Sequence, residues 1–135
     1  MRKYCLSLLL LFLTLVSNAV EPPKREIRGV WLTTVYGLDW PHNPATTETG
    51  RKARQRDVCD ILDRLQDANF NTVFLQVRMR GDVIWRSAIE PASKTFSGKY
   101  GMMPGYDPLA FVVDECHKRG MECHAWFVTF PLGTD

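Results

Sequence analysis

Two cysteine–histidine pairs stand seven residues apart in the stretch CHKRGMECH, Cys116 with His117 and Cys123 with His124. Cysteine and histidine are ligands that zinc prefers, and a structural zinc site holds four of them in a tetrahedron. The residue types therefore raise the question of a metal site. The answer depends on whether the surrounding elements let the four side chains converge.

The first of these pairs ends a predicted helix, and the second lies in a predicted strand. Asp107 and Pro108 are a typical N-cap and first helical residue, and Gly120 is a typical C-terminal cap. The strand MECHAWFV follows at once. Neighbouring residues of a strand point to opposite faces, so Cys123 and His124 do not converge on one ion. We expect no metal here, and leave open whether Cys116 and Cys123 are packed thiols or a disulfide.

The rest of the chain repeats this alternation. The stretches RGVWLTT (28–34) and NTVFLQVR (71–78) predict strands, because β-branched and aromatic residues dominate them. Between them an apolar face with helical spacing predicts a helix, formed by Val58, Ile61, Leu62 and Leu65. We interpret the basic run RKARQR (51–56) at its start as a solvated helix face. The order strand, helix, strand, helix, strand indicates an α/β fold with parallel strands.

Alternation along the strands separates a helix-facing row from an opposite row. Val73, Leu75 and Val77 are uniformly aliphatic and are predicted to face the helices. The opposite row is partly polar and collects Trp31, Gln76, Arg78, His124 and Trp126. Parallel βα folds place ligand sites at the carboxyl ends of their strands, so we predict substrate-binding residues in this row. The alternative is that these are satisfied polar and aromatic residues of the core.

A long connection follows the second strand, from about residue 79 to 106, and it is rich in aromatic and charged residues. Loops of this length are usually functional or disordered, and its aromatic content argues against disorder. Flat rings beside charged hydrogen-bonding groups suit sugars, so Asp82 is added to the predicted substrate-binding set. Pairing of Asp82 with a neighbouring arginine is an equal alternative.

The amino-terminal segment predicts export. Arg2 and Lys3 precede an apolar run, and Ser17 to Ala19 offers the small residues of a cleavage site, which predicts a signal peptide over 1–19. Cleavage leaves 15 basic and 15 acidic residues. A neutral mature chain favours neither nucleic acid nor an anionic membrane as partner. It also leaves three cysteines, an odd number that is not typical of a disulfide framework.

Three motifs, in order along the mature chain, carry a resemblance. EIRGVWLTTVYGLDWP, NTVFLQVRMRGDVIW and GMMPGYDPLAFVVDECHKRGMECHAWF are similar to the start of the bacterial glycosyl hydrolase-like 10 family. The resemblance implies an exported (β/α)8 barrel, periplasmic or extracellular, that acts on polysaccharides such as cell-wall glycan strands. We expect no cofactor, and the absence of a Gly-rich phosphate loop from the sequence argues against nucleotide use.

The resemblance also implies that this chain, with its domain at 20–135, is the first part of that barrel. A complete barrel takes about 250 residues, and three strands are predicted here. Glycoside hydrolysis ordinarily needs two carboxyl groups, and neither Asp39 nor Asp82 has a recognisable catalytic setting. We therefore expect the catalytic residues beyond residue 135, and an inactive fragment. The alternative is a carbohydrate- or cell-wall-binding protein that has lost catalysis.

Overall fold

The fold is an α/β unit built on a three-stranded parallel sheet. A computed structural model describes residues 26–132. The strands are β1 (Gly29–Leu32), β2 (Thr72–Arg78) and β3 (Glu122–Phe127), in the order β1-β2-β3. The helices are α1 (Glu48–Asp67), the single-turn α2 (Lys94–Ser97) and α3 (Pro108–Lys118). This confirms the predicted α/β class and is compatible with the start of a (β/α)8 barrel.

One face of the sheet is packed against the two long helices. Val73, Leu75 and Val77 of β2 are fully buried, as the alternation predicted. Their cluster includes apolar residues of both helices and of β1, namely Val58, Leu62, Val112, Cys116 and Leu32. Burial of each such side chain contributes roughly 1.5–3 kcal/mol. The helix-facing layer is therefore where most of the stabilising apolar contact lies.

Both long helices begin at polar caps. The Thr47 side chain accepts a hydrogen bond from the Gly50 N–H at the start of α1. At the start of α3, Asp107 Oδ1 accepts from the Ala110 N–H at 3.0 Å, which confirms the predicted cap. Gly120 follows α3 with φ +69°, a conformation that suits glycine. The turn into β3 is thereby tight.

The basic run at the start of α1 is not wholly solvated, so that interpretation was wrong at Arg54. Arg54 is only 3% exposed, because this turn of the helix packs under the loop after β1. Its backbone carbonyl accepts from Trp40 Nε1 at 2.9 Å, and its Nη1 donates to the Phe96 carbonyl. Burial lowers the pKa of Arg54.

The long connection after β2 is ordered. Backbone bridges join Arg78 to Val83 and Val83 to Ala92, and Phe96 of α2 is buried against Trp40. The predicted signal peptide at 1–19 lies outside the described residues. Within 26–132, no helix combines the length and the apolar character that crossing a bilayer requires.

Candidate functional site

The loops that follow the three strands meet at the carboxyl edge of the sheet, and Gln76 of β2 binds the first of them. Gln76 is 4% exposed, and its Oε1 accepts hydrogen bonds from the backbone N–H groups of Thr34 and Val35, at 3.0 and 2.8 Å. Thr34 Oγ1 donates in turn to the Gln76 carbonyl oxygen at 2.8 Å. Gln76 was predicted to bind substrate, but its side-chain oxygen instead holds the loop after β1 in place.

Arg78 is bound on two sides. Its Nε donates to both carboxylate oxygens of Glu90, at 2.8 and 3.0 Å, and its Nη2 lies 2.6 Å from Oε1. Its Nη1 donates to the carbonyl of Val128 at 2.6 Å, in the segment after β3. These hydrogen bonds raise the pKa of Arg78 and lower the pKa of Glu90. Arg78 therefore clamps the loops after β2 and β3 together.

The carboxylates near this edge differ in their surroundings. Asp39 Oδ2 accepts from the Thr33 N–H at 2.8 Å, which closes the loop after β1. Asp82 is 3% exposed, and its Oδ1 is buried without a hydrogen-bond partner among the described residues. Asp82 also forms no salt bridge within 26–132, although its charge contributes to the raised pKa of Arg78. Glu90 is already engaged by Arg78.

An aromatic cluster lies on the sheet face opposite the helices. Trp31 stacks on Phe74 with ring centroids 4.9 Å apart, and Trp126 meets Trp31 edge-on at 4.9 Å. The His124 ring lies 5.4 Å from Phe74. Trp31 remains 58% exposed. The structure thus brings together three of the six predicted substrate-binding residues, Trp31, His124 and Trp126, on one partly open face.

His124 lies further from the carboxyl edge of the sheet than Trp126 does, at the same level as Trp31. It pairs in register with Phe74, whereas Trp126 pairs with Gln76, two positions closer to the carboxyl edge. Its Nε2 lies 2.8 Å from Glu122 Oε2, two residues earlier on the same face. Ligand sites of parallel sheets form at the carboxyl edge, so Trp126 is better placed than His124 to reach a ligand.

The two cysteine–histidine pairs are divided between the layers of the fold. Cys116 is buried in the core and Cys123 packs against it, whereas His124 faces the other side of the sheet. Both cysteines are free thiols. A hydrogen bond with Cys123, together with burial, raises the pKa of Cys116. The thiols therefore interact with each other, as packed groups of the helix-facing layer.

Sequence reasoning missed a cavity of about 290 Å³ between the loops after β1 and β2. Its lining is Tyr36, Pro41, His42, Pro44, Arg80, Lys94, Thr95 and Gly98. The Arg80 guanidinium carbon lies 4.6 Å from the centre of the Tyr36 ring. The lining comes from segments far apart in the chain, so only the packed loops reveal it. No local sequence signal marked it, and the positive φ of Tyr36 and Gly37 is seen only in the structure.

Comparison with known proteins adds an independent finding. The sequence profile of the family described as Glycosyl hydrolase-like 10 matches residues 26–134. The chain is similar to Glycosyl hydrolase DigH of Escherichia coli (strain K12), at 48% identity over 119 residues, which is 85% of this chain and 27% of that protein. It is 39% identical to Glycosyl hydrolase YngK of Bacillus subtilis (strain 168) over 108 residues, 80% of this chain and 21% of that protein. The chain therefore spans about a quarter of the length of these relatives.

Proposed function

The chain belongs to the glycosyl hydrolase-like 10 family, and on that premise we propose that the whole protein is an exported glycoside hydrolase acting on a polysaccharide. Bacterial cell-wall glycan is the candidate substrate. The proposal is carried by one observation: the chain is 48% identical to a protein named a glycosyl hydrolase, over 85% of its own length. The parallel sheet, with its loops gathered at one edge, gives this function a suitable scaffold.

In this proposal the described residues supply part of the substrate-binding surface. The barrel interior is filled by side chains in layers, and the ligand lies above them at the carboxyl ends of the strands. Trp31 and His124 then belong to an inner layer. Trp126 pairs with Gln76, two positions closer to the carboxyl edge, and lies at the floor of the site. An indole ring there suits the C–H face of a sugar.

The catalytic carboxylates are placed in another part of the whole protein. A glycosidase general acid needs a raised pKa and a free approach to the glycosidic oxygen. Glu90 has a lowered pKa because of Arg78, and Asp39 accepts hydrogen bonds from Thr33. Both carboxylates are engaged within the fold, so neither has the free approach that a general acid needs.

The test is the release of reducing ends from purified cell-wall glycan by the whole protein. We expect release, and we expect Trp126→Ala to weaken glycan binding by about tenfold or more, because a stacking partner is lost. Trp126→Phe keeps an aromatic ring and guards against misfolding, and Ile89→Ala, at a residue 93% exposed, is the matched control. Absence of cleavage would overturn the hydrolase proposal, whether or not the glycan binds.

The second candidate is a carbohydrate-binding protein without catalysis. It is favoured by the engaged state of Asp39 and Glu90, which leaves neither free to act as a general acid. The same assay separates the two candidates. Binding that depends on Trp126 without new reducing ends would select the binding protein.

A further inference from the structure

The cavity between the loops after β1 and β2 carries positive charge without a counter-ion. Arg80 and Lys94 both line it, and no aspartate or glutamate does. Neither cation forms a salt bridge with a residue of 26–132. A cleft lined by one sign of charge concentrates ions of the other sign, because its low-dielectric walls focus the field. The electrostatics of this cavity therefore favour an anion.

Arg80 is the least satisfied of the cations at this edge. Its Nε and Nη1 are buried and have no hydrogen-bond partner among the described residues. Leaving such donors unpaired costs free energy, and more so when the group is charged. The guanidinium rests instead on the Tyr36 ring, an arrangement that fixes its orientation but leaves its hydrogen bonds unmade. No described residue neutralises this charge, so Arg80 attracts an anion to the cavity electrostatically.

His42 adds a third polar group with a defined orientation. Its Nδ1 lies 3.1 Å from the Gly37 carbonyl oxygen, and only a protonated nitrogen can donate to that acceptor. With the proton on Nδ1, Nε2 can accept a hydrogen bond from a sugar hydroxyl, so His42 suits the sugar ring rather than the anion. Pro41, Pro44 and the 70% exposed Tyr36 provide apolar surface beside these groups. Apolar walls with a few oriented polar groups are typical of small-molecule sites.

We propose that this cavity is a subsite for a negatively charged substituent of a glycan, a carboxylate or a phosphate carried on a sugar ring. The anion pairs with Arg80 and Lys94, and the apolar wall holds the ring. The inference rests on the proposed function, since it takes the ligand to be a glycan. It goes further in making that glycan acidic and in placing its charge at this cavity.

The test is calorimetric binding of three probes to the whole protein. They are a cell-wall tetrasaccharide with free carboxylates, the same compound with its carboxylates reduced to alcohols, and chitotetraose phosphorylated on its 6-hydroxyls. We expect an acidic probe to bind at least about tenfold more tightly than the neutral one, since hydrogen bonds between charged groups have that magnitude. The stronger of the two acidic probes identifies the anion.

Variants assign the effect to the cavity. Arg80→Gln and Lys94→Gln should each weaken the acidic probe about tenfold and leave the neutral probe unchanged, whereas Arg80→Lys should retain part of the affinity. Lys99→Gln removes the same charge from an exposed lysine of the same loop outside the cavity, and should have no effect.

Two results would overturn the proposal, and they differ in meaning. Equal binding of acidic and neutral probes, or acidic binding that survives Arg80→Gln and Lys94→Gln, would remove the anion subsite and leave a glycan-binding function. Absence of binding to all three probes would remove both the subsite and the proposed function.

Discussion

Arg78 and Arg80 stand two residues apart at the end of β2, yet their surroundings differ. Arg78 is held by Glu90 on one side and by the backbone after β3 on the other. Arg80 has two buried nitrogens without partners and lies over an aromatic ring. The first charge serves the architecture of the edge, and the second is neutralised by no described residue, as the proposed anion subsite requires. The comparison teaches that two arginines near the same strand end can differ in whether the protein holds their charge, which neither residue type nor position predicts.

Gln76 belongs with Arg78 on the structural side of this comparison, and its replacement should have the largest effect on stability. Gln76→Leu leaves the N–H groups of Thr34 and Val35 without their acceptor in a buried place. We expect a loss of about 3 kcal/mol in the free energy of unfolding, measured by urea denaturation of the whole protein. Gln76→Glu keeps an acceptor oxygen and should lose less. Unchanged stability of Gln76→Leu would return Gln76 to the group of candidate ligand residues.

The difference between local patterns and long-range partners also limits what could be predicted from the sequence. The Asp107 cap and the buried row Val73, Leu75 and Val77 were predictable, because capping and alternation are local patterns. The partners of Gln76 and Arg78 were not, since Thr34 lies 42 residues from Gln76 and Glu90 lies 12 residues from Arg78 across a folded loop. Arg54 was misjudged for the same reason.

The edge of the sheet beside the candidate site was predictable, but the cavity itself was not. Strand order and the carboxyl-edge rule pointed to the loops after β1 and β2, where the cavity lies. Tyr36, His42 and Lys94 carried no spacing signal, because each is isolated among unrelated loop residues. They lie close together because the two loops pack against each other. For example, the backbone N–H of Ala45, which follows Pro44, donates a hydrogen bond to the carbonyl oxygen of Phe96. Periodicity does not encode such contacts.

The pair formed by Arg78 and Glu90 should make stability depend on pH, to a smaller extent than the loss at Gln76. The hydrogen bond to Arg78 lowers the pKa of Glu90, so its stabilising contribution is present above the unfolded pKa of about 4.3 and is lost as pH falls through the lower folded value. Glu90→Gln should therefore lower the melting temperature at pH 7. The difference from the unmodified protein should shrink below about pH 4.

A matched control distinguishes the loss of the pair between Arg78 and Glu90 from the loss of any exposed surface charge. Glu48→Gln breaks an exposed pair with Lys52 at 2.8 Å and should change the melting temperature little at pH 7, because exposed pairs contribute weakly. A gap between Glu90→Gln and the unmodified protein that is the same at pH 7 and pH 3 would contradict the assignment of Arg78 as a structural clamp.

Arg80→Gln should have the smallest effect on stability of these changes, although it has a large predicted effect on binding. The substitution removes a charge whose Nε and Nη1 are buried without partners, so the lost contact with Tyr36 is offset by relief of an unsatisfied group. We expect the free energy of unfolding to stay within about 0.5 kcal/mol of the unmodified value, measured by the same urea denaturation. A loss as large as that of Gln76→Leu would show that Arg80, like Arg78, is held by the protein itself, and the contrast between the two arginines would disappear.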